Sequence, residues 1–168
     1  LIGQTVDMAV ESLEELPGVE RVVRVSEKYR LIGRHRGQME ALDMEYNGIS
    51  FEQGSFTVMA GLCAVDTPAH VEATFRALEA CGQRTARMGA YKPRTSPYDF
   101  QGRGRECLPY VFELAGKHGI RMIAMEVTRE SHIDEIAAAL ERSGQATGVM
   151  LQIGTRNAQN FELLKAVG

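Results

Sequence analysis

An α/β fold on a parallel sheet is what this chain predicts, and three observations predict it. From Ser55 onward, short apolar runs rich in β-branched residues alternate strictly with amphipathic stretches of helical period. The units recur at about thirty residues, the length needed for a strand, a crossover helix and a parallel return. The turn after the first of these strands, Gly61-Leu-Cys-Ala-Val-Asp66, lacks the G-x-G-x-x-G pattern of a dinucleotide-binding sheet. Such units build either an open doubly wound sheet or a closed (β/α)8 barrel. The barrel is favoured, because Cys63, Lys92, Glu126 and Arg156 all fall just after predicted strands, where a barrel collects its chemistry.

The elements follow in order. Leu1 to Thr5 resembles the end of a strand, with Thr5 a helix N-cap. Val6, Ala9, Val10 and Leu13 give one apolar helix face, which Pro17-Gly18 stops. Val19 to Val25 is a β-branched strand, so residues 1–36 look like the second half of a small α+β unit. Residues 37–54 form a polar, Gly-punctuated linker with a hairpin signal at Asn47-Gly48. Residues 55–168 hold four βα units. The predicted strands are Phe56–Ala60, Thr85–Gly89, Arg121–Val127 and Val149–Ile153. Helices follow them over Thr67–Ala80, with Val71, Phe75 and Leu78 on one face, and around Leu108, Val111, Phe112 and Ala115. Two more follow around Ile133, Ile136, Ala137 and Leu140, and over Asn157–Val167.

The chain has 168 residues, is 44% hydrophobic and 24% charged, and carries a net charge of -3, which makes no electrostatic case for nucleic acid or an anionic membrane. No apolar run is long enough to span a bilayer. Cys63, Cys81 and Cys107 are too few and too widely spaced for a disulfide framework or a zinc knuckle, and a reducing cytoplasm is expected. Cys81 and Cys107 read as packing residues. His35, His70, His118 and His132 have no metal-ligand spacing and read as surface or helix residues.

Against this mildly acidic background the segment Arg87-Met-Gly-Ala-Tyr-Lys-Pro-Arg-Thr-Ser-Pro-Tyr-Asp-Phe-Gln-Gly102 stands out. Arg87, Lys92 and Arg94 sit among Gly, Pro and small hydroxyl residues directly after a strand. Guanidinium forks match phosphate and carboxylate in bidentate geometry. Pro93 and Pro97 limit what must be ordered on binding. A solvated basic loop is the alternative reading of the same spacing.

Four segments together resemble the type I 3-deoxy-7-phosphoheptulonate synthases, in the microbial subgroup with an N-terminal ferredoxin-like regulatory domain. They are Ala60-Gly-Leu-Cys-Ala-Val-Asp66, the Arg87–Gly102 segment, Ile123-Ala-Met-Glu-Val127, and Gln152-Ile-Gly-Thr-Arg-Asn-Ala-Gln-Asn160. The resemblance implies that residues 1–36 are part of the ferredoxin-like domain and residues 55–168 the first half of a TIM barrel. It also implies a reaction. Phosphoenolpyruvate and erythrose 4-phosphate condense with loss of phosphate, opening the shikimate route to aromatic amino acids, with a divalent metal polarising the aldehyde. An aromatic amino acid effector and a homo-oligomeric assembly are implied too.

By the same resemblance Arg87, Lys92 and Arg156 contact phosphoenolpyruvate, and Lys92-Pro93-Arg94-Thr95 receives the sugar phosphate. Glu126 lies near the enol end, Gly154-Thr155-Arg156 binds anion through backbone N–H groups and the guanidinium, and Cys63 is a metal ligand. Lys92 is also a candidate proton donor, since crowded cations release protons more readily. Each has a plainer alternative: Cys63 as a small packing residue, Glu126 as an ion-pair partner of Arg87 or Arg121, Arg156 as a brace for the following helix.

The chain departs from the family pattern in several places. Leu62 stands where a proline is usual before the cysteine, Met88 where a glycine is usual, Thr155 for an alanine and Met125 for a threonine. Met88 is expected either to crowd the site or to fill space elsewhere. The family draws its other metal ligands, a His, a Glu and an Asp, from later strands. The chain is therefore expected to be a fragment lacking both ends and to be inactive alone. Two other functions compete: a non-catalytic metabolite-binding or regulatory module, and the related 3-deoxy-octulosonate 8-phosphate synthase, against which Lys92-Pro-Arg-Thr95 argues.

Overall fold

The computed structural model describes residues 9–22, 43–52 and 54–168. The chain divides into two compact units, Leu1–Leu42 and Asp43–Gly168. In the first, a single-turn helix α1 (Val10–Glu14) ends before Pro17-Gly18, and Glu14 accepts a hydrogen bond from the Val22 N–H at 3.1 Å. Val19 to Val22 are not paired as a strand. The expected Thr5 cap, the Val6 end of the helix face, the rest of the Val19–Val25 strand, His35 and residues 37–42 and 53 of the linker lie outside the described residues.

The second unit opens with a hairpin of β1 (Met44–Tyr46) and β2 (Ile49–Phe51). Asn47 and Gly48 take φ of 51° and 76°, which gives the turn its primed twist. The Asn47 amide donates to the Arg121 and Ala146 carbonyls at 2.6 and 2.7 Å, and Tyr46 packs over Gly148. The hairpin is thereby fastened to the starts of two sheet strands.

Four parallel strands follow in sequential order: β3 (Ala60–Leu62), β4 (Thr85–Met88), β5 (Met122–Val127) and β6 (Gly148–Ile153). Helices α2 (Pro68–Ala80), α3 (Leu108–Lys117), α4 (Ser131–Ser143) and α5 (Phe161–Val167) follow the strands in turn. One hydrophobic cluster takes in Val71 and Phe75 of α2, Val111 and Phe112 of α3, Ile136 of α4 and Leu163 of α5. All four helices thus cover one face of the sheet. A doubly wound sheet splits its helices between two faces and reverses strand order; this one does neither, which is consistent with part of a (β/α)8 barrel.

Alternation along the strands sorts the residues between the two faces. Ala86, Met88, Ile123, Met125, Val127, Val149, Leu151 and Ile153 pack toward the helices. Arg87, Met122, Ala124, Glu126 and Gln152 therefore share the helix-free face. Met88, fully buried in the helix-side cluster, fills core space and does not crowd the site.

Three local expectations need correction. The first parallel strand is Ala60–Leu62, later than the predicted Phe56–Ala60: Phe56 is 92% exposed, and the Val58 carbonyl is taken by the Thr85 hydroxyl at 2.7 Å and not by a ladder partner. On α4 the expected Ile133, Ile136 and Leu140 pack against the core, joined by buried His132 and Ala139, while the expected Ala137 is exposed. Cys81 is exposed, whereas Cys107 is buried as a packing residue, with burial pushing its thiol up to about 12.

Candidate functional site

The site is built where β4, β5 and β6 end, on the face without helices. Arg87 pairs in register with Ala124, and Glu126 with Gln152. Ala124 has no bulk to stop the Arg87 side chain from crossing β5. The guanidinium does cross: Nε donates to Gln152 Oε1 at 3.2 Å and Nη2 to Glu126 Oε2 at 3.4 Å. Lys92 arrives from the loop after β4 and places Nζ 3.3 Å from the same carboxylate oxygen. Glu126 is 4% exposed, while the Arg87 and Lys92 side chains retain 23% and 19%. A buried carboxylate thus holds two half-buried cations side by side, leaving a net positive charge at the strand ends.

Glycines bring the backbone close around this triad. A Cβ at Gly154 would collide with the Glu126 carboxylate, and one at Gly61 or Gly89 would strike the carbonyls of Arg87 or Cys63 on the neighbouring strand. The loop after β4 closes on itself. Lys92 N–H donates to the Gln101 carbonyl at 2.8 Å, and Gly104 N–H to the Ala90 carbonyl at 2.9 Å. It is also tied to the loop after β3, where Arg103 N–H reaches the Val65 carbonyl at 3.1 Å.

The remaining predicted residues form the rim. Arg156, in the 3-10 turn Thr155–Asn157 after β6, donates to the Pro93 carbonyl at 3.3 Å and the Thr95 hydroxyl at 3.1 Å. It therefore braces the cationic loop from a different strand. Arg94 bends back to the Phe100 carbonyl at 3.0 Å and stays exposed. Pro93 to Thr95 and Arg156 line an open cleft of about 850 Å³ with Arg103, Arg105 and Arg129. Cys63 is a free, exposed cysteine just after β3. Among the described residues no three His, Cys, Asp or Glu side chains are grouped to hold a metal ion. The donor set described here does not by itself make a metal centre.

Sequence reasoning missed Gln152, whose signal was its alternation onto the Glu126 face. It also missed the partners of Tyr91. The Tyr91 ring, 9% exposed, stacks on His132 with centroids 3.6 Å apart and planes inclined by 12°, and its hydroxyl donates to Glu135 at 2.6 Å. His132 lies on α4 and His118 caps the C-terminus of α3, in keeping with the helix alternative, and both are buried. Burial, then the neighbouring Arg129 guanidinium, hold the His132 pKa below the usual imidazole range.

Comparison with known proteins identifies the family and the fold. The chain is 35% identical over its whole length to phospho-2-dehydro-3-deoxyheptonate aldolase of Thermotoga maritima, covering 47% of that protein. The crystal structure of the T. maritima phospho-2-dehydro-3-deoxyheptonate aldolase (DAHP synthase) matches 98% of the chain at 36% identity with a TM-score of 0.69, covering 46% of that structure. A truncated form of 3-deoxy-D-arabino-heptulosonate 7-phosphate synthase from the same organism matches 76% of the chain at 29% identity, TM-score 0.59, over 42% of its own length. The chain thus spans about half the length of the relatives it matches. The DAHP synthetase I family profile covers residues 36–168, which include every strand end described above, and the chain belongs to that family.

Proposed function

We propose that the chain carries the anion-binding strand ends of a 3-deoxy-7-phosphoheptulonate synthase, which joins phosphoenolpyruvate to erythrose 4-phosphate and releases inorganic phosphate. One observation supports this most: Arg87 and Lys92 converge on Glu126 at the C-terminal ends of neighbouring parallel strands, with their outer surfaces still open. The carboxylate and phosphate of phosphoenolpyruvate need two or more cations held apart at fixed spacing, and this triad holds them before any ligand arrives. Arg156 and the Lys92-Pro93-Arg94-Thr95 segment, already bonded to each other, extend the positive surface toward a second phosphate.

In the proposed reaction the enol methylene of phosphoenolpyruvate bonds to the aldehyde carbon, water adds at the adjacent carbon, and phosphate leaves from it. The residues here bind and orient the two anions, and Lys92 Nζ is placed to hold or give up a proton beside them. A divalent metal is proposed for the whole enzyme, with Cys63 as one donor, and would polarise the aldehyde; the described residues do not complete its site. The chain alone is accordingly proposed to bind substrate without turnover.

Titration calorimetry tests this reading. Phosphoenolpyruvate is expected to bind the chain, and Arg87→Ala to weaken it by at least about tenfold, the loss of one charge-assisted bidentate contact. Equal affinity of Arg87→Ala and wild type would refute the assignment. Phosphate release from both substrates by the purified chain would refute the proposed inactivity.

A further inference from the structure

Tyr91 and Lys92 are consecutive, and their side chains leave the backbone on opposite sides. Lys92 runs to Glu126 on the helix-free face, and Tyr91 runs outward to α4. The outward contact is elaborate for a residue with no charge. The ring lies flat on His132, itself 2% exposed, and the hydroxyl reaches Glu135 one helical turn further on. His132 is fixed in turn: Arg129 Nε donates to its Nε2 at 2.8 Å, and the Thr128 N–H points at its Nδ1 from 3.3 Å. Two N–H donors facing the ring favour a neutral imidazole, in which one nitrogen keeps a lone pair to accept. A neutral ring offers a flat stacking surface with no positive charge against the phenol. Burial and the Glu135 hydrogen bond push the Tyr91 hydroxyl well above its ordinary pKa, so it remains a donor.

We propose that His132 and Glu135 of α4 are positioning residues that act through Tyr91 to hold Lys92 against Glu126. The consequence for substrate binding rests on the proposed function; the placement of Lys92 does not. The hydrogen bond from Lys92 N–H to the Gln101 carbonyl stays within the same loop, whereas Tyr91 anchors that loop to α4, so releasing the Tyr91 ring frees the backbone that aims Lys92.

The test is the acetylation rate of each lysine under trace acetic anhydride, read by peptide mass spectrometry on the 168-residue chain. Lys92 is 19% exposed and Lys165 is 72% exposed, which gives an internal reference. Tyr91→Phe and Glu135→Ala each remove the same hydrogen bond, and each is expected to speed Lys92 acetylation about fivefold relative to Lys165. Their double variant is expected to match either single, because the two groups act as one unit. Glu135→Gln keeps an acceptor oxygen and is expected to restore the slow rate, whereas Glu135→Met, of similar length with no acceptor oxygen, is expected to be as fast as Glu135→Ala; a slow Glu135→Met would show that Glu135 only fills space and overturn the inference. His132→Phe, which retains a stacking ring, is expected to stay near wild type, whereas His132→Ala is expected to be fast. An unchanged Lys92 rate in Tyr91→Phe and Glu135→Ala would overturn the inference, as would a double variant whose effect is the product of the singles. Phosphoenolpyruvate titration of the same proteins separates the two claims. Absence of binding to wild type would remove the functional reading and leave the labelling result standing.

Discussion

Replacing Glu126 by Gln tests the charge triad most directly. The carboxylate is 4% exposed and lies 3.4 Å from Arg87 Nη2 and 3.3 Å from Lys92 Nζ. At an effective dielectric constant of about 20, each contact is worth about 5 kcal/mol of attraction before desolvation is charged against it. Burying the carboxylate costs several kcal/mol in return, so the pair energies do not add to stability as they stand. Removing the partner of a buried cation typically costs about 3–5 kcal/mol. Arg87 and Lys92 keep 23% and 19% exposure, so they regain part of their hydration. The loss is therefore expected at the low end, about 3 kcal/mol. Urea unfolding followed by circular dichroism, with unchanged slope, is expected to show the midpoint falling by about 1.5 M. A second reading goes the other way. With the carboxylate neutralised, two uncompensated cations face solvent, and inorganic phosphate is expected to stabilise the variant more than wild type. A loss below about 0.5 kcal/mol, or weaker stabilisation by phosphate, would refute the triad as the organising element.

Two further perturbations follow from the same geometry. Gly154 has φ of -78°, so alanine strains no backbone there, yet its Cβ would displace the Glu126 carboxylate. Gly154→Ala is expected to cost about 2 kcal/mol in wild type and nothing, or a slight gain, in a Glu126→Ala background, which a double-mutant cycle by urea unfolding measures. The depressed pKa of His132 means the unfolded chain takes up its proton first as the pH falls. Stability from this group is full above the unfolded value of about 6.5 and is lost as the pH drops below it. Tm is expected to fall between pH 7 and pH 5 in wild type and to lose that slope in His132→Phe, measured by calorimetry.

The outer layer was legible in the sequence because its signal is local. Val71, Phe75 and Leu78, and Leu108, Val111, Phe112 and Ala115, stand at helical spacing, and all seven are buried. The same reasoning placed α4 and three of its four face residues, Ile133, Ile136 and Leu140, but took Ala137 for Ala139 because Ala137, Ala138 and Ala139 form an unbroken apolar run that blurs the period, and it missed His132, which completes the face. Its burial depends on a ring from the loop after β4, which no window along α4 contains. β-Branched propensity drew the first strand too early. Phe56 to Val58 has the composition of a strand, and the ladder to β4 begins only at Ala60.

At the site, residue types were legible and their partnerships were not. Arg87, Lys92, Glu126 and Arg156 stand in motifs that mark them individually. That Arg87 crosses β5 to Gln152 depends on Ala124 lying opposite it, which is a matter of register between strands far apart in sequence. That Arg156 braces Thr95 depends on two loops meeting over about sixty residues of intervening chain.

The proposed anion cradle has an acid at its centre, and the buried carboxylate has a physical reason to be there. Arg87 and Lys92 without Glu126 would repel each other and turn outward into water, each searching its rotamers independently. A ligand would then have to bear the cost of gathering them. With Glu126 between them the cations are gathered in advance, at the expense of one unit of positive charge, and the remaining charge faces outward. Gly154 makes room for that acid on one side. On the other side Tyr91 turns the same backbone outward to α4, so the segment carrying Lys92 is fastened to the rigid helix layer at the residue before it. Preorganisation here is thus a property of three strand ends and one helix together, which is why the isolated basic loop read from the sequence understates the site.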